Sequence, residues 1–147
     1  MWLEGTFRVS RERMEVFAFL RDARQWADCL EDPHTLEVLD PEHFQGTLTT
    51  GISFLRGTFR FRGEYGNTVP GTRLEATVDG SGMGSGLKAR LSVGLLEEGG
   101  QTVVAWKAEV TFFGPVATLG EGVIRRTVER KVAGLFENAR KRLEPRA

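Results

Sequence analysis

The most informative part of the chain is its last segment, residues 114–147, with the sequence GPVATLGEGVIRRTVERKVAGLFENARKRLEPRA. Glycine is tolerated just before a helix, and proline suits the first helical position because its missing N–H would have no partner there. The residue before Pro145 is pushed out of the helical region, so the helix should end at Leu143. The segment therefore predicts one long helix, unbroken over residues 115–143.

The predicted helix carries one continuous apolar stripe. Its members recur at intervals of three and four residues, as on one face of an α-helix: Ile124, Val128, Val132, Leu135, Ala139 and Leu143. A second row, in the first half of the helix, holds the small residues Val116, Gly120, Val123 and Thr127. Because such a helix must bury its stripe against another apolar surface, we expect it to cover a sheet.

The body that precedes this helix is rich in strands. Residues 2–9 alternate as a strand does, and two short helices should follow: one capped by Ser10 and ending near Asp22, one holding Trp26, Cys29 and Leu30. From residue 35 onward the period is two, which predicts strands around 36–38, 44–49, 59–65, 74–78, 89–95 and 106–112. Short turns between successive strands imply antiparallel pairing, with one apolar face and one wet face.

The composition is that of a soluble globular protein. The 147 residues are 40% hydrophobic and 27% charged, and the formal net charge is zero, so no overall field attracts nucleic acid. The length fits one domain over residues 1–147. No stretch approaches the roughly 18 apolar residues of a membrane span, and the N-terminus lacks a signal-peptide pattern. With a single cysteine and therefore no internal disulfide, we expect a cytoplasmic protein.

Several short motifs recur in a familiar order along the chain. They are Val16-Phe17-Ala18-Phe19-Leu20-Arg21-Asp22, Cys29-Leu30, Leu36-Glu37, the glycine-rich run 80–86 leading into Lys88-Ala89-Arg90-Leu91, Leu119-Gly120, and Lys131. Together they resemble the CoxG family of carbon monoxide dehydrogenase proteins, within the START/Bet v 1-like (SRPBCC) superfamily. The resemblance implies an α+β helix-grip fold, in which a curved antiparallel sheet surrounds a long C-terminal α-helix and two short helices follow the first strand. One departure is Glu31-Asp32-Pro33, where the family usually has Pro-Gly-Cys.

The resemblance also implies a function class. Superfamily members typically hold lipids, sterols, polyketides or quinones in a cavity, and family members serve carbon monoxide dehydrogenase in maturation, membrane recruitment or electron transfer. We therefore expect a non-catalytic binding or carrier protein for a small hydrophobic, lipid- or quinone-like ligand, without a cofactor. Two alternatives stay open: an accessory protein that docks onto a carbon monoxide dehydrogenase-like molybdenum hydroxylase, and a polyketide cyclase/aromatase-like enzyme. A membrane surface at the inner face is a further candidate partner; the oligomeric state is left open.

The candidate ligand site lies between the apolar face of the sheet and the C-terminal helix. Small residues on both sides either let helix and sheet approach closely or leave a pocket between them. Ala108 is expected to face Gly120 and Val123 across this space. The candidate lining residues are Phe44, Leu48, Phe59, Phe61, Leu91, Trp106, Ala108, Val110, Phe112, Leu119, Gly120, Val123 and Thr127.

Catalytic and metal-binding residues are not predicted. His34 and His43 lack the partners of a zinc site, so we expect solvated loop histidines. Cys29 is expected to be a small buried hydrophobe, and the glycine-rich run a hairpin or bulge. A cyclase would need an inward polar group, for which Tyr65 and Thr127 are the candidates. The basic residues of the last helix form either a solvated face or a docking surface for an acidic partner or membrane: Arg125, Arg126, Arg130, Lys131, Arg140, Lys141 and Arg142.

Overall fold

The computed structural model describes residues 1–144 and contains one seven-stranded sheet and three α-helices within that range. The elements, in chain order, are β1 (Trp2–Val9), α1 (Arg13–Arg21), α2 (Ala23–Ala27), β2 (His34–Asp40), β3 (His43–Ile52), β4 (Leu55–Val69), β5 (Arg73–Gly82), β6 (Ser85–Glu98), β7 (Gln101–Phe113), a 3₁₀ helix (Pro115–Leu119) and α3 (Glu121–Leu143). The strand order is β1-β7-β6-β5-β4-β3-β2, antiparallel throughout. The predicted α+β helix-grip fold is confirmed.

The sheet is curved around α3. The helix backbone lies close both to β1, at one edge of the sheet, and to β3, which is next to the other edge. Five strand spacings separate β1 from β3, which would be about 24 Å in a flat sheet. A helix is only about 10–12 Å across with its side chains, so the sheet must bend to bring both strands to it.

Polar contacts hold α3 at both sides of the curved sheet. The Arg125 guanidinium donates a hydrogen bond to the backbone carbonyl of Trp2 on β1, 3.0 Å away. On the opposite side, the loop between α2 and β2 accepts from the helix. Lys131 Nζ donates to Asp32 Oδ2 over 2.8 Å, and the Asn138 side chain donates to the carbonyl of Cys29 over 3.0 Å. These contacts fix where the helix lies above the sheet.

The predicted unbroken helix over residues 115–143 is interrupted at Gly120. Its first five residues form the separate 3₁₀ helix, and Gly120 has φ +92°, a conformation that side chains with a Cβ rarely adopt. The backbone N–H of Val116 donates to the buried Ser85 hydroxyl, which pins the 3₁₀ helix to the start of β6. Glycine then lets the chain change direction into α3. The predicted end at Leu143 is confirmed, while Pro145 lies outside the described residues.

The two short helices are confirmed, with different boundaries. The side chain of Glu12, rather than the predicted Ser10, accepts a hydrogen bond from the first turn of α1. The hydroxyl of Ser10 instead accepts from Gln101. Asp22 caps α2 by accepting from the Arg24 N–H, and α2 ends before Cys29, which was expected to lie in it. Cys29 is buried, as predicted.

One end of the apolar face is closed by α1 and α2. There the Phe44 ring covers Gly63, its direct cross-strand neighbour, so closely that a Cβ on this glycine would lie 2.0 Å from the ring. Phe44 also contacts the ring of Trp26 on α2, with 5.4 Å between centroids, and that of Tyr65 on β4, at 5.5 Å. The missing side chain at Gly63 is thus already replaced by an aromatic ring.

This contact predicts different costs for two alanine substitutions on the same strand. We expect Gly63→Ala to lower the free energy of unfolding by about 1–3 kcal/mol, because the new methyl group displaces the Phe44 ring. Gly66→Ala is the matched control, since no atom lies within 4 Å of its added Cβ. Urea denaturation of both variants measures the difference, and equal stabilities would contradict the packing described.

Candidate ligand cavity

Inward-facing side chains of the central strands change from buried to half-exposed along each strand. On β4, Tyr65 is buried and Phe61 is half-exposed; on β6, Val93 is buried and Leu91 is half-exposed. The half-exposed inward residues are Phe59, Phe61, Val78, Leu87, Ala89 and Leu91. These side chains lie on the face that α3 covers, so their exposure means that water-sized molecules reach the space between sheet and helix. This space is the candidate ligand cavity.

The arrangement of the core agrees with this position. Buried side chains form three separate clusters, of which the largest lies beneath α1 and α2. Four apolar residues of the inner surfaces belong to none of the three, Leu48 on β3, Phe59 on β4, and Val123 and Val132 on α3. Leu48 and Phe59 are direct cross-strand neighbours. A gap in the core therefore lies between these two strands and the first half of α3.

The predicted lining residues fall into three groups. Eight are half-exposed on the inner surfaces: Leu48, Phe59, Phe61, Leu91, Trp106, Phe112, Leu119 and Val123. Four are buried, namely Phe44, Ala108, Val110 and Thr127. Gly120 is exposed, at the break before α3. The half-exposed group remains the prediction for ligand contact, since these side chains have unfilled space beside them.

Ala108 lies elsewhere than the alternation suggested. It belongs to a buried cluster with Leu3 and Val110, and the α3 residue packed against this cluster is Val128 rather than Gly120 or Val123. Alternation fixed the face of the sheet on which Ala108 lies. It did not fix which turn of α3 passes over it, because that depends on the break at Gly120.

His34 is the residue that the sequence analysis missed. It begins β2 instead of lying in a loop, and it is the direct cross-strand neighbour of Leu48. Directly opposed residues share a face of the sheet, so the half-buried His34 side chain leaves the inner face. Its Nδ1–H donates to the carbonyl of Asp32 over 2.9 Å, and Nε2 has no hydrogen-bond partner within residues 1–144. Extending the alternation two residues before Leu36 would have found it.

Asp32 gathers polar groups near His34, at one side of the cavity. Its carboxylate accepts from Lys131 of α3 and from the buried hydroxyl of Thr50 on β3, over 2.8 and 2.7 Å. The hydrogen bond from Lys131, followed by that from Thr50, holds the pKa of Asp32 below its ordinary value. The apolar cavity thus has one polar side, built from the loop before β2, β3 and α3.

His43 lies away from the cavity. It begins β3 next to the β2–β3 turn, with a largely exposed side chain whose Nδ1 lies 2.9 Å from Asp40. The hydrogen bond to Asp40 raises the pKa of His43 and keeps the imidazole at the surface. Within residues 1–144, no three His, Cys, Asp or Glu side chains are arranged to hold a metal ion.

Tyr65, the inward hydroxyl considered for a cyclase, is occupied by structural hydrogen bonds. It accepts from Trp26 Nε1 over 2.6 Å and donates to the carbonyl of Leu20 over 3.0 Å. Burial raises the pKa of Tyr65 to about 12. The hydroxyl therefore joins α1 and α2 to the sheet. Burial also raises the pKa of the Cys29 thiol, which keeps it protonated and unreactive at neutral pH.

Two further grooves lie outside the space under α3. One, of about 450 Å³, crosses the outer face of the sheet and is lined mainly by charged and polar side chains such as Glu75, Arg90 and Lys107. The other, of about 570 Å³, lies between α1 and the β2–β3 turn. Among the predicted lining residues, Leu91 borders the first groove and Phe44 the second. Their polar rims suit an apolar ligand less well than the inner face does.

Comparison with known proteins agrees with the fold. The family model of CoxG, a component of carbon monoxide dehydrogenase, matches residues 5–144. Among solved structures, a conserved protein from Geobacillus kaustophilus superposes with a TM-score of 0.88 at 18% identity, covering 97% of this chain and 95% of that one. No curated protein matches the chain.

Two other solved structures carry informative descriptions. A START superfamily protein from Mycobacterium smegmatis has a TM-score of 0.73 at 10% identity, with 97% of this chain and 96% of that chain covered. The di-domain aromatase/cyclase StfQ of the steffimycin biosynthetic pathway has a TM-score of 0.63 at 16% identity, with 95% of this chain and 49% of that chain covered. At these identities the likeness shows a START-like fold.

The Asp32 contacts predict a pH-dependent stability. The pKa of Asp32 is lower in the folded protein, so its contribution is present above the ordinary aspartate value of about 3.9 and is lost as the pH falls through the folded value. We expect Asp32→Asn to cost about 1–2 kcal/mol of unfolding free energy at pH 7, and the difference from the unmodified protein to shrink below pH 4.

Chemical denaturation between pH 3 and pH 7 measures this difference. Glu97→Gln, at an exposed acid with no ion pair among residues 1–144, controls for loss of one negative charge. A difference for Asp32→Asn that stays constant with pH would show that the ion pair with Lys131 does not stabilise the fold.

Proposed function

The chain belongs to the CoxG family of carbon monoxide dehydrogenase proteins, and from that premise we propose that it is a cytoplasmic, non-catalytic carrier for a small hydrophobic molecule of lipid or quinone type. One observation carries the proposal. The inner face of the sheet is buried under α1 and α2 but half-exposed under the first half of α3. Apolar side chains left half-exposed inside a fold gain free energy when an apolar ligand covers them.

The chemistry of the cavity supports a ligand that is apolar with a polar end. Its candidate walls are aliphatic and aromatic, including Leu48, Phe59 and Val123. Polar groups are confined to one side, where Thr50, Asp32 and Lys131 are already joined to one another. Ligand sites commonly combine mostly apolar walls with a few placed polar groups. A quinone or a fatty acid has this distribution of polarity.

A second candidate is an accessory role for a carbon monoxide dehydrogenase-like molybdenum hydroxylase, which the family match favours. In this role the chain would bring its ligand to the enzyme or receive it there. Co-purification of the chain with such a hydroxylase, and a change in the hydroxylase's rate of quinone reduction when the chain is added, would support it. Neither effect is expected if the chain acts apart from the enzyme.

Recovery of a bound ligand tests the carrier proposal most directly. We expect organic-solvent extraction of the purified protein, followed by mass spectrometry, to release one class of apolar molecule in near-stoichiometric amount. Quinones and fatty acids of several chain lengths are then titrated against protein freed of that molecule. The proposal fails if no molecule is recovered and none of the titrated compounds binds.

Two alanines on neighbouring strands separate cavity from solid core. Ala89 is half-exposed on the inner face of β6, whereas Ala76 is buried on β5. We expect Ala89→Phe to leave stability nearly unchanged while weakening ligand binding, because the ring occupies the cavity. Ala76→Phe should lower the free energy of unfolding by about 1–3 kcal/mol, because no space is open there.

Thermal melts and binding of a fluorescent apolar probe measure both effects. Since the two variants carry the same substitution, differences between them report the local space rather than the added ring. A large loss of stability in Ala89→Phe, with probe binding unchanged, would place the cavity elsewhere.

A further inference from the structure

One end of the molecule is almost free of charge. We call it the hairpin end and define it as residues 47–58, 80–87 and 110–120, which hold the β3–β4 turn, the β5–β6 turn, and the end of β7 with the 3₁₀ helix. Charged residues make up 27% of the chain, yet Arg56 is the single charged residue in these three segments. The remaining residues are mostly glycine, serine, threonine and apolar types.

Each of the three segments exposes a large apolar side chain. Phe54, at the β3–β4 turn, is 81% exposed, and Met83 and Phe113 are each 48% exposed. The segments are packed side by side. A Cβ on Gly57 would lie 2.2 Å from the Met83 sulfur, and one on Gly114 would lie 2.5 Å from the carbonyl of Gly84. The exposed side chains therefore belong to one continuous surface.

This surface adjoins the part of the cavity whose walls are half-exposed. Along β4 and β6, the inward residues nearest the hairpin end are half-exposed, while those nearest α1 and α2 are buried. An apolar ligand entering beneath the first half of α3 would pass the hairpin end rather than the closed end. An uncharged rim spares such a ligand from contact with charged side chains.

We propose that the hairpin end inserts into the surface of a phospholipid bilayer, with Phe54 as the deepest side chain. An exposed phenylalanine gains free energy when it enters the boundary between head groups and acyl chains. Arg56, two residues from Phe54 and without an acidic residue in the hairpin end, complements the lipid phosphates. Serine, threonine and glycine around it carry no charge that would have to be removed from water.

The basic residues of α3 form a weaker candidate surface. Arg125 pairs with Glu121 and Glu129, and Arg140 pairs with Glu137. Lys131 and Arg142 pair with acidic residues of the α2–β2 loop and its preceding turn. Most of the positive charge expected on this face is therefore neutralised within the protein, whereas the hairpin end contains no acidic residue.

Tryptophan placed at position 54 tests the insertion. We expect fluorescence of Phe54→Trp to shift to shorter wavelength with phosphatidylcholine vesicles and to be quenched by lipids brominated on the acyl chain. Leu96→Trp is the matched control, because Leu96 is 64% exposed at the far end of β6. The three native tryptophans contribute equally to both variants. Absence of shift and quenching at position 54, or equal quenching at position 96, overturns the proposal.

Loss of the apolar side chain tests its contribution. We expect Phe54→Ser to reduce binding to vesicles about tenfold, with melting temperature unchanged, and Leu96→Ser to leave binding unchanged. Vesicles with and without phosphatidylglycerol distinguish insertion from attraction by charge. Binding that requires the anionic lipid and ignores Phe54→Ser would assign the contact to basic residues instead.

Vesicle binding is measured without a cavity ligand, so its outcome is independent of the carrier proposal. Where the carrier proposal also holds, Phe54→Ser should slow uptake of the ligand from vesicles and leave affinity for the ligand in solution unchanged. If the protein binds no vesicle but Phe54→Ser abolishes its association with a protein partner, the hairpin end is a protein-docking surface and the bilayer proposal is wrong.

Discussion

The structure depends on one geometric mismatch: a single helix has to cover a sheet that is wider than itself. Seven strands span about 29 Å when flat, while a helix with its side chains is about 10–12 Å across. Curving the sheet brings both of its sides to α3 and lets the two elements share one apolar interior. The inward glycines, such as Gly46 and Gly63, remove side chains where the bending sheet has least room.

Curvature alone does not fill the interior, and the two ends solve the remaining problem differently. At one end, α1 and α2 add a second layer, fastened to the sheet by the hydrogen bonds of Tyr65 with Trp26 and Leu20. At the other end, only the 3₁₀ helix and the start of α3 lie over the sheet. Apolar side chains there stay half-exposed, which is why a packed core and a candidate cavity coexist in one fold.

The distribution of charge follows the same division. Ion pairs and polar contacts concentrate where α3 meets β1 and the loop before β2, and they hold the helix at a fixed position above the sheet. The hairpin end has almost no charge, and its exposed apolar side chains surround the open part of the interior. A carrier needs both properties, because a fixed helix preserves the cavity and an uncharged rim permits exchange of an apolar ligand.

The sequence by itself determined the strands, the inward face of each strand, the terminal helix and the family, because alternation, helical periodicity and motif order are local patterns. It also assigned Leu48, Phe59 and Val123 to the inner surfaces correctly. Only the tertiary structure decided the break at Gly120, the inward placement of His34, and the burial of Ala108 beside Val128. Each depends on where α3 lies over a curved sheet, and that position is set by contacts between residues far apart in the chain, such as Lys131 with Asp32.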